Sequence, residues 1–168
     1  AHKLVELAGQ HELMLAFDRR PITLALIARE IAALRGAPNV EIATGDPRSR
    51  AGRAEVLRAF APQADGGGAT IALCSDSMAE GINLQRASAL LHLDLPSVVR
   101  IAEQRAGRVD RMDSPHDAIE IWWPRDAAEF ALTSDDRLVE RFDAVESLLG
   151  SNFPLPDALF GESKRTVD

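Results

Sequence analysis

The chain has 168 residues, 46% of them hydrophobic and 27% charged, which excludes a disordered chain and allows one domain that buries roughly 70% of its unfolded surface. Nineteen basic against 26 acidic side chains leave a formal charge of −7, so contact with nucleic acid has to come from a local patch and not from a generally basic surface. One cysteine, Cys74, excludes an internal disulfide framework and a cysteine-based zinc site.

No apolar run approaches the ~18 residues of a membrane span, and residues 1–20 lack the basic-then-apolar pattern of a secretory leader. The expectation is a cytoplasmic protein with no membrane partner.

In chain order, Leu13 to Phe17 is a continuous apolar run that predicts a buried strand. Ile22 to Leu34 repeats apolar residues at helical spacing through Leu24, Ile27, Ile31 and Leu34. Val40 to Ala43 predicts a second strand, and Arg48 to Phe60 a helix with Val56, Leu57 and Phe60 inward. Residues 62–69 (PQADGGGA) read as a surface loop. Thr70 to Cys74 predicts a third strand, with Cys74 packed in the core, and Ala89 to Leu93 a fourth, with His92 as a satisfied interior or edge residue.

Val98 to Arg111 predicts a long helix and Ile119 to Trp123 a fifth strand. A last helix has Ser134 as its cap, Asp135 and Asp136 in its first turn, an apolar stripe of Leu138, Phe142, Val145 and Leu149, and Gly150 after its end. Residues 151–168 read as a docked arm or as the start of further chain. His2, His11 and His116 have no metal-ligand spacing, and no metal site is expected. Continuous apolar strands alternating with helices imply an α/β fold, mostly parallel, with helices on both faces of the sheet.

Ligands of such sheets bind beyond the carboxyl ends of the strands. Those ends run into Asp18, Arg19 and Arg20; Thr44, Gly45 and Asp46; Ser75, Asp76 and Ser77; and Asp94. Turn chemistry explains any one of them alone. On the predicted helix 98–111, Arg100, Gln104, Arg108 and Arg111 share one face, while Val99, Ala102, Ala106 and Val109 form an apolar stripe toward the sheet. Gly107 inside that helix costs about 1 kcal/mol relative to alanine, which suggests a close approach to its backbone.

The strings "SDSMAEGINLQRASALLHLDLP" (75–96) and "EQRAGRVDR" (103–111) resemble the C-terminal RecA-like lobe of superfamily 2 helicases and translocases, most of all the Swi/Snf-type remodelling ATPases and their bacterial relatives. "TGDPRSRAGRAEVLRAF" (44–60) is similar to the segment that precedes the fifth motif of that family, and the resemblance covers about residues 12–123. Two features depart from the remodelling subgroup. Met112 to Pro115 follow the sixth motif where an Ile-Gly-Gln-like turn is usual, and Ser97 to Val99 stand where Trp-Asn-Pro is usual.

The resemblance implies a three-layer α/β/α RecA-like lobe over residues 1–131, with a C-terminal helical extension over 132–168. It implies that Arg108 and Arg111 reach the ATP phosphates, Arg111 as arginine finger, and that Gln104, Glu80, Gly81 and Asn83 line the nucleotide side. Thr44, Gly45, Ser75 and Asp76 correspond to contacts with a nucleic-acid backbone, most readily double-stranded DNA, with RNA still open. No Gly-Lys-Ser/Thr phosphate loop surrounds Lys3 or Lys164, so the lysine and the Mg²⁺ ligands for ATP are expected from an N-terminal lobe of the same parent chain. By itself this lobe is expected to be monomeric and inactive. Two alternatives remain at this point: a degenerate, non-catalytic lobe that binds nucleic acid or protein, and a flavodoxin-like ligand-binding domain.

Overall fold

The computed structural model describes residues 1–64, 68–79, 83–96, 99–110, 114–124 and 138–143. The elements are α1 (His2–Ala8), β1 (Leu13–Phe17), α2 (Pro21–Ala32), β2 (Asn39–Ala43), a 3₁₀ turn (Pro47–Ser49), α3 (Arg50–Ala59), β3 (Thr70–Cys74), a second 3₁₀ turn (Asp76–Ala79), β4 (Ala89–His92), α4 (Val99–Ala106) and β5 (Glu120–Trp122). The strands form one sheet in the order β2-β3-β1-β4-β5, and every pairing is parallel.

Position in the sheet accounts for strand composition. β1 and β3 lie inside and are buried at every residue, whereas edge strands β2 and β5 are only partly covered. Along β1 the side chains alternate between two cores. Leu13, Leu15 and Phe17 join Val56 and Phe60, from α3 and its end, and Val109, from the turn after α4. Met14 and Ala16 join Leu4 and Leu7 of α1 and Leu24 and Ile31 of α2. Helices therefore cover both faces, as expected of a RecA-like α/β domain.

Two local differences from the sequence reading have simple causes. α1 was not foreseen; its seven residues are too few for a periodic signal, yet Leu4, Leu7 and Ala8 are buried. α4 stops at Ala106 and does not run to Arg111. The Gly107 N–H closes the last turn onto the Glu103 carbonyl at 2.8 Å, and Val109 and Asp110 both donate to the Ala106 carbonyl. Gly107 thus ends the helix instead of interrupting it, and a side chain there would meet the Glu103 carbonyl at 3.1 Å. The stripe expected to face inward does so: Val99, Ala102, Ala106 and Val109 are all buried.

Residues 138–143 are helical, and Leu138, Val139 and Phe142 pack with Val99, Leu95 and Trp123. The 131/132 boundary, the remainder of that predicted helix and residues 151–168 lie outside the described residues. Among the described residues no helix is long and apolar enough to cross a membrane.

Candidate functional site

Strand register levels the carboxyl ends of the sheet. Phe17 pairs with Cys74 on one side and His92 on the other, and Cys74 pairs with Ala43. The next residues extend the ladder by one step: Ser75 N–H donates to the Ala43 carbonyl, Asp18 N–H to Cys74 and Leu93 N–H to Phe17. Thr44, Ser75, Asp18 and Leu93 therefore form one row along the rim, with Gly45, Asp76, Arg19 and Asp94 just beyond it.

At the β2 end, Thr44 is buried and its polar groups are engaged within the turn. Its N–H donates to Ser49 Oγ at 3.0 Å, its hydroxyl lies 2.9 Å from the same oxygen, and Thr44 Oγ1 accepts the Asp46 N–H at 3.1 Å. Asp46 caps the 3₁₀ turn through the Arg48 N–H at 2.8 Å and takes the Arg48 guanidinium at 2.7 Å. The Arg48 fork holds the Asp46 carboxyl down at about 2.

Gly45 is exposed between the buried Thr44 and the half-buried Asp46. A β-carbon on it would lie 3.3 Å from Ser77 Oγ, so the β2 and β3 loops touch here. Ser75 Oγ and Ser77 Oγ are 2.8 Å apart. Beside the rim, an open groove of about 800 Å³ runs between Pro21 and Ile22 of α2, Val40 and Ile42 of β2, and Thr44 and Arg48.

At the β1 end, Asp18 Oδ1 accepts the Arg20 N–H at 2.6 Å. Burial still pushes its carboxyl above the usual carboxylate range, against the pull of that hydrogen bond.

Of the residues expected on the nucleotide side, Asn83, Gln104 and Arg108 are described, and they make a second group. Leu84 N–H donates to the Arg108 carbonyl at 3.2 Å, which brings Asn83 beside Arg108, and Gln104 lies on the adjoining helix α4. Asn83 and Arg108 are both partly buried, and Asn83 Oδ1 is buried without a hydrogen-bond partner. Arg111, Glu80 and Gly81 lie outside the described residues.

The link between the groups is a residue that the sequence reading passed over. Arg105 is fully buried. Its Nε and Nη2 both donate to Asp76 Oδ1, at 2.8 and 2.7 Å, and its Nη1 donates to Asp94 Oδ1 at 2.9 Å. Asp76 thus faces a guanidinium. His92 Nδ1, 3.1 Å from Nη1, completes the cluster. Burial, reinforced by the Arg105 charge, pulls the His92 imidazole down to about 3, so the ring is neutral and accepts from the guanidinium. A signal for this was available: Arg105 falls between Ala102 and Ala106 on the apolar stripe, where a charge requires a buried partner.

The comparisons with known proteins give the family and the fold. The family model "Helicase conserved C-terminal domain" matches residues 4–113, more than half of the chain. The RNA polymerase-associated protein RapA of Serratia proteamaculans (strain 568) is 38% identical over 120 residues, which is 70% of this chain and 12% of that protein. The chain therefore spans about an eighth of that relative's length. Among solved structures, the C-terminal part of the Fun30 ATPase domain shares the fold at a TM-score of 0.53 and 15% identity, covering 86% of this chain and 51% of that one. Mss116p bound to ssRNA and AMP-PNP does so at 0.63 and 11% identity, covering 94% and 29%. The family match decides against a flavodoxin-like domain: the chain belongs to the helicase conserved C-terminal domain family, as a superfamily 2 C-terminal lobe homologous to bacterial RapA.

Proposed function

We propose that this lobe is the C-terminal half of a cytoplasmic, ATP-dependent translocase or helicase acting on double-stranded DNA, and that it works only against an N-terminal lobe of the same parent chain. The observation that carries the reading is the tie between Leu84 N–H and the Arg108 carbonyl, which holds Asn83 and the first arginine of the GRxxR string side by side. The unpartnered Asn83 Oδ1 is an acceptor suited to a sugar hydroxyl, which supports a nucleotide on this side.

Bound ATP with Mg²⁺ supplies a γ-phosphoryl group whose transfer to water develops negative charge on its oxygens. Arg108 and Arg111 neutralise that charge from this lobe, with Arg111 as the finger, while Gln104, Asn83, Glu80 and Gly81 shape the nucleotide side. The lysine and the metal ligands come from the other lobe. Thr44, Gly45, Ser75 and Asp76 form the nucleic-acid rim. Gly45 offers its exposed backbone, and the buried Ser75 hydroxyl acts through its 2.8 Å contact with Ser77 Oγ; neither needs net positive charge to meet a phosphate. Asp76 serves that rim through its bond to Arg105.

The test is turnover in the two-lobed enzyme. Arg108→Ala and Arg111→Ala are each expected to lower ATP hydrolysis by about 10³-fold or more while nucleotide binding persists. Near-normal turnover in both variants would refute the finger assignment. Stimulation by duplex DNA is expected to exceed stimulation by single-stranded RNA, and the reverse order would reassign the substrate.

A further inference from the structure

We infer that Arg105 is a positioning residue that locks the nucleic-acid rim to the nucleotide side, so that a load placed on one is transmitted to the other; the inference rests on the proposed function above. A fully buried guanidinium is tolerated only when its donors are satisfied, and here residues at the ends of two separate strands satisfy them. Asp76 comes from the end of β3, Asp94 from the end of β4 with His92 inside that strand, and Arg105 itself from α4. The second oxygen of Asp94 accepts the Arg19 N–H at 3.3 Å, which brings in the end of β1. The Phe17 ring centroid lies 5.5 Å from the guanidinium carbon and closes the site from the sheet side.

A planar fork held by two carboxylates is directional: sliding or rotating either partner breaks its hydrogen bonds, which a point charge would tolerate. Well-packed apolar residues stabilise an interior as well as a buried ion pair does, so the fork's distinctive contribution is a fixed geometry.

Both ends of the tie reach function. Asp76 follows Ser75, and its carboxylate is partly open to solvent while Arg105 is sealed. A phosphate arriving beside Ser75 repels Asp76 and so loads the fork. At the other end, the Arg108 N–H donates to the Arg105 carbonyl at 3.2 Å, so the backbone of Arg108 hangs on the residue that the fork holds. The fork and this bond together make a continuous path from the rim to Arg108.

The test uses Arg105→Lys in the two-lobed enzyme, because lysine keeps the charge and loses the fork. Basal ATP turnover and KM for ATP are expected to stay within about threefold of wild type, while the factor by which duplex DNA stimulates turnover falls about tenfold or more. Asp94→Asn, which removes one charge but keeps the shape, is measured alongside; it is expected to lower the same factor by several-fold and keeps the test open should the lysine variant fold poorly. A stimulation factor equal to wild type in either folded variant would overturn the inference and reduce Arg105 to a structural ion pair. Absence of stimulated turnover in wild type would overturn the proposed function, and this inference with it.

Discussion

The packing of α3 on β2 can be tested at a single atom. Gly52 lies on α3 where an added β-carbon would sit 2.4 Å from the Ile42 carbonyl oxygen and 3.3 Å from Ile42 N and C. All three atoms are backbone, in a strand whose other edge is paired with β3, so none can swing aside. Ordinary contact begins near 3.4 Å, so Gly52→Ala requires α3 and β2 to separate by about 1 Å (3.4 − 2.4). A gap of that size forfeits a quarter to a half of the dispersion energy of each contact it opens, and Val56 and Phe60, both fully buried, move with the helix.

Overpacking of this kind costs about 1–3 kcal/mol. Alanine's better helix propensity returns about 1 kcal/mol. A contact of 2.4 Å against backbone falls at the upper end of the overpacking range, so sterics win and the net loss is about 1–2 kcal/mol, or about 2–8 °C in Tm for a chain of this size. Thermal unfolding followed by circular dichroism reads the shift. Ala54→Gly, on the exposed side of the same helix, calibrates propensity alone and is expected to lose about 1 kcal/mol. A Gly52→Ala protein as stable as wild type would show that the helix does not sit this close to the strand.

Two further outcomes follow from the rim. His92 is held at about 3 against an ordinary 6.5, so the unfolded chain takes up the proton first as pH falls. Its stabilising contribution is complete above pH 6.5 and is lost toward pH 3, at up to about 1.4 kcal/mol per pH unit. Asp18, raised by burial, works in the opposite sense, so the measurement is a difference: denaturant midpoints from pH 7 to 4 should fall less steeply in His92→Gln than in wild type, and parallel slopes would refute the assignment. Ser49→Ala removes the hydroxyl that donates to the Thr44 and Asp46 carbonyls and accepts the Thr44 N–H. It should cost about 1–3 kcal/mol in thermal unfolding and weaken nucleic-acid binding in the two-lobed enzyme by loosening Gly45. A stable variant with weakened binding would separate these two roles.

The strands were legible because continuous burial leaves a plain signature. Leu13–Phe17 and Thr70–Cys74 coincide with the expectation, since interior parallel strands need apolar residues on both faces. The end of α4 was not legible, because the arginine and glycine pattern of 104–111 continues helical spacing past the point where the Ala106 carbonyl takes donors from both Val109 and Asp110. The rim was visible as residue types but not as partners. Thr44 was singled out as a contact for a nucleic-acid backbone, but its engagement by a serine five residues on could not be foreseen, because hydrogen bonds within a turn leave no periodic trace. Arg105 is the instructive miss: grouping α4 by its exposed cations hid the one cation on its buried face.

Those partners also bear on how an acidic chain could make the phosphate contact proposed for this edge. Asp18, Asp46, Asp76 and Asp94 along the rim are matched in number by Arg19, Arg20, Arg48 and Arg105, so the rim is locally neutral while the chain as a whole carries −7. Each carboxylate is directed onto a guanidinium or a backbone N–H, which leaves Gly45 exposed, with Ser75 buried behind it against Ser77. The surplus negative charge belongs to residues other than these eight, and on the proposed reading it disfavours nucleic acid away from the rim. Charge removal distant from the rim should therefore raise non-specific binding without strengthening the specific contact, whereas Arg48→Gln should expose the Asp46 charge and weaken that contact.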